Sequence, residues 1–268
     1  LEEEKMHKQR WLRVLALMLI MAMLLAACGG GDDTGGDTGG DTGGETSGDT
    51  GGDTGGDSGG DKDGDTEGDT GGDSGGDTGG VLYSDDFSDP GSGWEVGDYG
   101  TGNVGYAGGE YFVTQFGGSD FMWGQAFVDP FSDVDIRADA YQLSGPGNDN
   151  TGYGLMCRVG YDPNTDELTG YWFGIGADGY YSIHKFTATE IVALIDWTQS
   201  SVINLGNNAV NQLRVVCAGN NLQFYVNGEM VAQVNDSDFG SGDFGLGGVS
   251  FEEQQAEFRF DNLEVYAP

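Results

Sequence analysis

Positive charge is scarce in this chain: ten Lys and Arg stand against 45 Asp and Glu, a formal net charge of −35. Nucleic acid and anionic membrane surfaces are thereby excluded as partners, since both are held by clustered cations. Histidine and cysteine are also sparse, at two and three, which leaves no set of soft ligands for a shared metal. Between residues 29 and 80 there is no aromatic or aliphatic side chain, and fifteen carboxylates accompany a single Lys62. A segment of that composition cannot bury enough apolar surface to offset its ordering entropy. Long apolar runs are missing too. The longest, residues 14–27, would span only about 21 Å as a helix, short of a bilayer core of about 30 Å and within the range of a signal-peptide core.

What is present divides the chain into three regions. Lys8, Arg10 and Arg13 precede the apolar run, and "LAAC" at residues 25–28 closes it. That arrangement resembles the processing box of bacterial lipoproteins. The resemblance implies that residues 1–27 are a signal peptide removed before Cys28, and that Cys28 becomes the lipid-carrying first residue. Two or three acyl chains suffice for stable anchoring, each buried methylene contributing about 0.8 kcal/mol. An ordinary signal anchor with an incidental cysteine is the other reading. "LEEEK" before Met6 fits neither, and Met6 is the expected initiator.

Residues 28–80 repeat "DTGG" with a period of four, varied as "ETSG", "DSGG" and "DTEG". No unit carries an apolar residue to stack on its neighbour, so the repeat is a disordered linker and not a solenoid. As a glycine-rich coil its root-mean-square span is on the order of 40 Å. "DKDGDTEGD" alternates Asp61, Asp63 and Asp65 like a calcium loop, but Thr66 replaces the required glycine and Gly72 the closing glutamate, so that match fails.

Residues 81–268 are rich in Phe, Tyr, Trp, Val and Ile, and are long enough for one domain. Runs of β-branched and aromatic residues recur about every ten positions between Gly, Asn and Asp, which predicts an all-β fold. In "LQFYVNGEMVAQV", Leu222, Phe224 and Val226 alternate with polar neighbours, and Asn227-Gly228 predicts a type I′ hairpin turn. A second hairpin is expected in "YWFGIGADGYYSIHKF", turning at residues 177–179. Roughly a dozen strands are best accommodated by two packed antiparallel sheets, a jelly-roll sandwich.

The order and spacing of "DDFSDPGSGW", "GYGLMCRV", "YWFGIGADGYYSI", "NQLRVVCAGNNLQFYVNGEMVA" and "FDNLEVY" resemble the concanavalin A-like lectin and glucanase superfamily, in its laminin-G-like and family-16-glycosidase-like branch. The resemblance implies a two-sheet sandwich but not one activity, because that fold serves lectins, hydrolases and adhesion modules. Retaining hydrolysis needs two carboxylates about 5 to 5.5 Å apart, which family-16 enzymes supply as ExDxE. The nearest string here is "DVDIR", where Asp133 and Asp135 alternate, Arg137 takes the third place and glutamate is missing. Asp133 and Asp135 read as strand decoration, and a hydrolase would need them to converge with Glu110. The resemblance also implies a structural calcium ion, for which Asp85 or Asp86 with Asp261 are the candidates and residues 235–243 a second oxygen-rich loop; the alternative is that these residues make turns. No cofactor is otherwise required.

His184 reads as a partly exposed strand residue. Cys157 and Cys217 remain after Cys28 takes lipid, and an exported protein with one even pair invites a disulfide; pairing requires their strands to be neighbours, and two buried thiols are the alternative. Sugar recognition needs aromatic faces beside amides or carboxylates, and Trp123, Tyr171, Trp172, Tyr180 and Trp197 are the candidates. Tyr171 and Phe173 share a face opposite Trp172, so one of these sets at most can point into a groove. The sequence thus predicts a non-catalytic binding protein for extracellular glycan, lipid-anchored at Cys28 to the outer face of a bacterial membrane. A surface protein as partner of an adhesive module, or a divergent glycoside hydrolase, are the alternatives.

Overall fold

The computed structural model describes residues 80–268; the expectations for the signal peptide, Cys28 and the linker lie outside the described residues. Fifteen strands follow in order: β1 (Val81–Asp85), β2 (Gly97–Asp98), β3 (Gly102–Ala107), β4 (Glu110–Gln115), β5 (Met122–Gln125), β6 (Val134–Ser144), β7 (Thr151–Tyr161), β8 (Leu168–Ile175), β9 (Tyr180–Phe186), β10 (Ile191–Gln199), β11 (Asn211–Ala218), β12 (Asn221–Val226), β13 (Glu229–Asn235), β14 (Asp243–Ser250) and β15 (Ala256–Tyr266). No helix occurs among the described residues.

A nine-stranded sheet runs β13-β12-β11-β6-β15-β4-β3-β2 with β1 added beside β15, and a six-stranded sheet runs β10-β9-β8-β7-β14-β5. Every pairing is antiparallel, and the all-β jelly-roll sandwich is the observed fold. Period-two alternation accounts for the packing. In β6, Val134, Ile136, Ala138 and Ala140 are buried in the core, while Asp135, Arg137, Asp139 and Tyr141 take the other face. Facing them from the six-stranded sheet are Tyr153, Leu155, Tyr171, Phe173 and Ile183. The β12–β13 turn has Asn227 at φ 51° and Gly228 at φ 86°, the two positive values that a type I′ turn requires.

Cys157 of β7 and Cys217 of β11 are joined by a disulfide, with Cα atoms 6.8 Å apart. Their strands are not neighbours within a sheet, contrary to the requirement stated above. They belong to opposite sheets, and both side chains point into the core.

The direction of β15 fixes the two poles of the sandwich. Its last residue, Tyr266, pairs with Val81, and the Ala267 N–H donates to the Gly80 carbonyl at 3.2 Å. The start of β1 and the end of β15 therefore meet at one pole. The opposite pole carries the β6–β7 connection (residues 145–150), the β8–β9 turn (176–179), the β10–β11 loop (200–210) and the β14–β15 loop (251–255).

Candidate functional site

The face of the six-stranded sheet that points away from the main core carries a second apolar layer, in which Phe121, Trp123, Met156, Trp172, Phe186 and Val249 are buried together. Its floor is nearly bare backbone. Across one row the register reads Trp123, Gly247, Gly154, Gly174, Ser182, so rings from neighbouring rows lie down over glycine. A Cβ at Gly174 would stand 2.4 Å from the Trp172 indole, and one at Gly247 equally close to the Phe121 ring. Trp172 packs edge-on against Phe121 at 5.1 Å and against Trp197 at 6.0 Å, and Trp197 meets Phe251 edge-on at 5.8 Å. Such offset and edge-on pairs hold one another's orientation.

Where this aromatic chain reaches the pole opposite the termini, it opens into a cleft of about 270 Å³ lined by Asn150, Thr151, Asp178, Tyr180, Trp197 and Phe251. The lining comes from four separate chain segments. Asp178 sits in the β8–β9 turn, closed by Gly176 N–H to the Tyr180 carbonyl at 2.8 Å and Gly179 N–H to the Gly176 carbonyl at 3.0 Å. Burial, with the Asp149 carboxylate adding to it, holds the Asp178 carboxyl above the usual range, against the Tyr180 N–H that it accepts. Thr151 is fixed from beneath by donating to Gln142 Oε1, while Gln142 Nε2 donates to Asn207 at 2.7 Å and Asp149 at 3.2 Å. On the other rim, Asn148 and Asn150 donate to Glu252 Oε1 at 2.7 and 2.9 Å, which keeps the Glu252 carboxyl below the usual range. The result is a mostly apolar hollow with a carboxylate and an amide at its edge, the composition of a small-molecule cleft at the small end of the size range.

Of the five aromatic candidates, the structure brings Tyr180 and Trp197 together in the cleft. Trp123 and Trp172 are buried in the second layer and Tyr171 in the main core, so these three present no ring face at the surface. Tyr171 and Trp172 do point to opposite faces, but Trp172 is then covered by Phe121 and Trp197. The Tyr171 hydroxyl donates to Asp236 at 2.6 Å; burial first, then that carboxylate, push it up to about 12. His184 stacks on Trp172 at 5.7 Å and shares a 3.2 Å hydrogen bond with Ser182; burial lowers it to about 4, outweighing the Asp196 charge, so it is neutral at pH 7.

The acidic candidates are engaged elsewhere. Asp135 is no surface decoration: it is buried on the outer side of β6, where Arg137 and Arg214 both grip it at 2.8 Å. Asp133 accepts from Arg158 at 3.4 Å and the Gly219 N–H at 2.8 Å, and Glu110 accepts from Tyr141 at 2.9 Å and Arg259 at 3.4 Å. None of the three lines the cleft.

β1 does lie beside β15, and Asp85 and Asp86 border a polar hollow with Asn262 and Glu264. Yet Asp85 accepts the Phe87 N–H at 2.8 Å, Asp86 the Ser88 N–H at 3.1 Å and Asp261 the Asn262 N–H at 2.8 Å, the turn-making role of such residues. In the 235–243 loop the Lys185 ammonium stands 2.7 Å from Asp236 and 2.6 Å from Asp238, taking the position a cation would have. Among the described residues no three His, Cys, Asp or Glu side chains are grouped to hold a metal, and the donor set does not fit the expected calcium ion.

Asp178, Asn150, Thr151 and Phe251 were not singled out by the sequence, where they read as turn and strand-end residues. Comparison with known proteins adds a family model, the 3-keto-alpha-glucoside-1,2-lyase-like domain, which matches residues 88–266. No curated protein matches the chain. Among solved structures, the carbohydrate binding module CBM66 from Bacillus subtilis superposes with a TM-score of 0.51 at 19% identity, over 66% of this chain and 96% of the module. A Bacillus subtilis protein of galectin-like fold gives 0.52 at 10%, over 70% and 96%. The GlcNAcα1-4Gal-releasing endo-β-galactosidase from Clostridium perfringens gives 0.51 at 10%, over 71% and 62%. At such identities these likenesses carry the fold alone.

Proposed function

The chain belongs to the 3-keto-alpha-glucoside-1,2-lyase-like domain family, and from that premise we propose that it is a carbohydrate-binding protein whose aromatic cleft takes a sugar ring. One observation carries the reading: Tyr180, Trp197 and Phe251 supply aromatic surface beside the Asp178 carboxylate and the Asn150 amide. A sugar ring presents C–H groups on its faces and hydroxyls on its rim, and this cleft offers a counterpart to each. Relatives in fold include a module described as carbohydrate-binding, which supports the same reading. The further proposal is that the domain is held at the outer face of a bacterial membrane by lipid on Cys28. The processing box supports it, as does the position of the cleft at the pole away from the chain's point of attachment.

Retention of the full chain on a glycan array and on polysaccharide columns, with and without calcium, tests the binding role. Trp197→Ala is expected to weaken retention at least tenfold, the removal of one stacking face, with the fold intact by circular dichroism. Absence of retention on any sugar, or equal retention by the variant, would sink the proposal.

A second reading is favoured by the family and by Asp178. A 1,2-elimination on a 3-keto glycoside needs one base rather than the carboxylate pair of a hydrolase. The 3-keto group acidifies the C2–H bond; a base takes that proton, the electron pair forms C1=C2, and the C1–O bond breaks as the leaving oxygen is protonated. Asp178, in the cleft lining and held by burial above the usual carboxylate range, is the group available for that proton. Release of the leaving alcohol from a 3-keto glucoside together with the C1=C2 unsaturated 3-keto sugar, both abolished in Asp178→Asn, would establish elimination; no release would leave binding alone.

A further inference from the structure

The described domain contains Arg137, Arg158, Lys185, Arg214 and Arg259 as its only Lys and Arg residues. Each is paired with carboxylates that do not line the cleft. Arg137 and Arg214 share Asp135, Arg158 reaches Asp133, Lys185 bridges Asp236 and Asp238, and Arg259 pairs with Glu110 and Glu257. None lines the cleft, and His184, behind its aromatic wall, is neutral. The carboxylates are placed the other way. Asp178 is part of the lining, Asp149 acts on it through its charge, and Glu252 is hydrogen-bonded to the lining residue Asn150. The cleft is therefore a site of uncompensated negative potential, with aromatic faces on which a cation is also welcome.

We propose that the cleft selects sugars by charge: it admits neutral rings, holds rings bearing a protonated amine more tightly, and rejects uronate, sulfated and phosphorylated rings. The inference rests on the sugar-binding reading above and adds the ligand class. A charged amine about 5 Å from one carboxylate in water-like surroundings gains a factor of about four in affinity, and an anion loses as much. Partial exclusion of water from the cleft raises both factors.

Calorimetric titration of the full chain with trimers of glucosamine, glucose and galacturonic acid, with a galactose trimer as the neutral match for the uronate, tests this. At low salt the expected order is glucosamine at least about fourfold tighter than glucose, and galacturonate at least as far below galactose, with the spread closing at high salt as the charges are screened. The same titrations on Asp178→Asn separate the cleft from the acidic residues 29–80, which that variant leaves unchanged. Its amide keeps the turn bond to Tyr180, and the amine advantage is expected to fall by at least half on a logarithmic scale. Galacturonate binding as well as galactose would overturn the charge rule and leave sugar binding standing. An amine advantage undiminished in Asp178→Asn would do the same, by assigning it to charge outside the cleft. No binding of any trimer would overturn the rule together with the reading it rests on.

Discussion

Two buried aspartates show how much the partner decides. Burial opposes the charge on Asp135, but hydrogen bonds from Arg214 and Arg137 outweigh it and hold its carboxyl below the ordinary range. Its contribution is present above the unfolded value near 4 and is lost as pH falls through the depressed one. Asp120 is the converse: only 3% exposed, with Oδ1 lacking any hydrogen-bond partner, it is pushed up to about 6 by burial alone. The folded state therefore binds its proton more tightly than the unfolded chain does, and ionising it costs stability progressively between pH 4 and 6. Asp120→Asn is expected to stabilise the protein by about 2 kcal/mol at pH 7.5, a discounted conversion of the shift, with little gain at pH 3.5. Thermal melts at the two pH values check it, and equal effects at both would reject the argument. Neither fate was legible in the sequence. Asp135 lies in β6, but its cations come from the same strand and from β11, a pairing that residue type cannot announce. The cleft residues repeat the lesson. Tyr180, Trp197 and Trp172 are alike in chemistry, yet Trp172 is covered by Phe121, Trp197 and His184 while the other two line the cleft.

Strands and turns were read where the information is local. Asn227-Gly228 carries its turn in its own backbone preferences, and the alternation of Leu222, Phe224 and Val226 gives their burial directly. What escaped is what faces what. Cys157 and Cys217 were expected on adjacent strands, whereas β7 and β11 oppose each other across the core. The second apolar layer escaped for a related reason. It depends on Gly154 and its neighbours in the row, and glycine in a strand signals close approach without saying by what. At Gly154 a Cβ would stand 1.9 Å from the Phe173 carbonyl oxygen. The cross-core disulfide ties the two sheets with 60 residues of sequence separation. By loop-closure entropy its loss should cost about 4 kcal/mol. The double variant Cys157→Ala/Cys217→Ala is expected to unfold at correspondingly lower urea with a similar transition slope, and a loss under 1 kcal/mol would remove the bond from the account of stability.

At the scale of the whole chain, the antiparallel run of β15 turns topology into orientation. Val81 pairs with its last residue, and the cleft lies beyond its first. Eleven residues at about 3.3 Å put the two poles roughly 35 Å apart. On the proposal that Cys28 carries lipid, a tether entering before Val81 would leave the cleft at the far pole, available to ligands too large to approach the membrane. Charge works in the same direction: with 45 acidic residues against ten basic ones, the chain is repelled by an anionic membrane surface within about one Debye length, near 10 Å at 0.1 M salt. Orientation and repulsion would act on access, while affinity for a free sugar belongs, in the proposed reading, to the cleft. Shortening residues 29–80 to about eight, with Cys28 and the processing box kept, should then separate the two. Affinity for a soluble trisaccharide is expected to stay within twofold of the full chain, while capture of insoluble polysaccharide by intact cells drops several-fold. Equal capture by the shortened protein would mean that the acidic repeat does not serve as a spacer, and an altered trisaccharide affinity would place part of the binding site within the repeat itself.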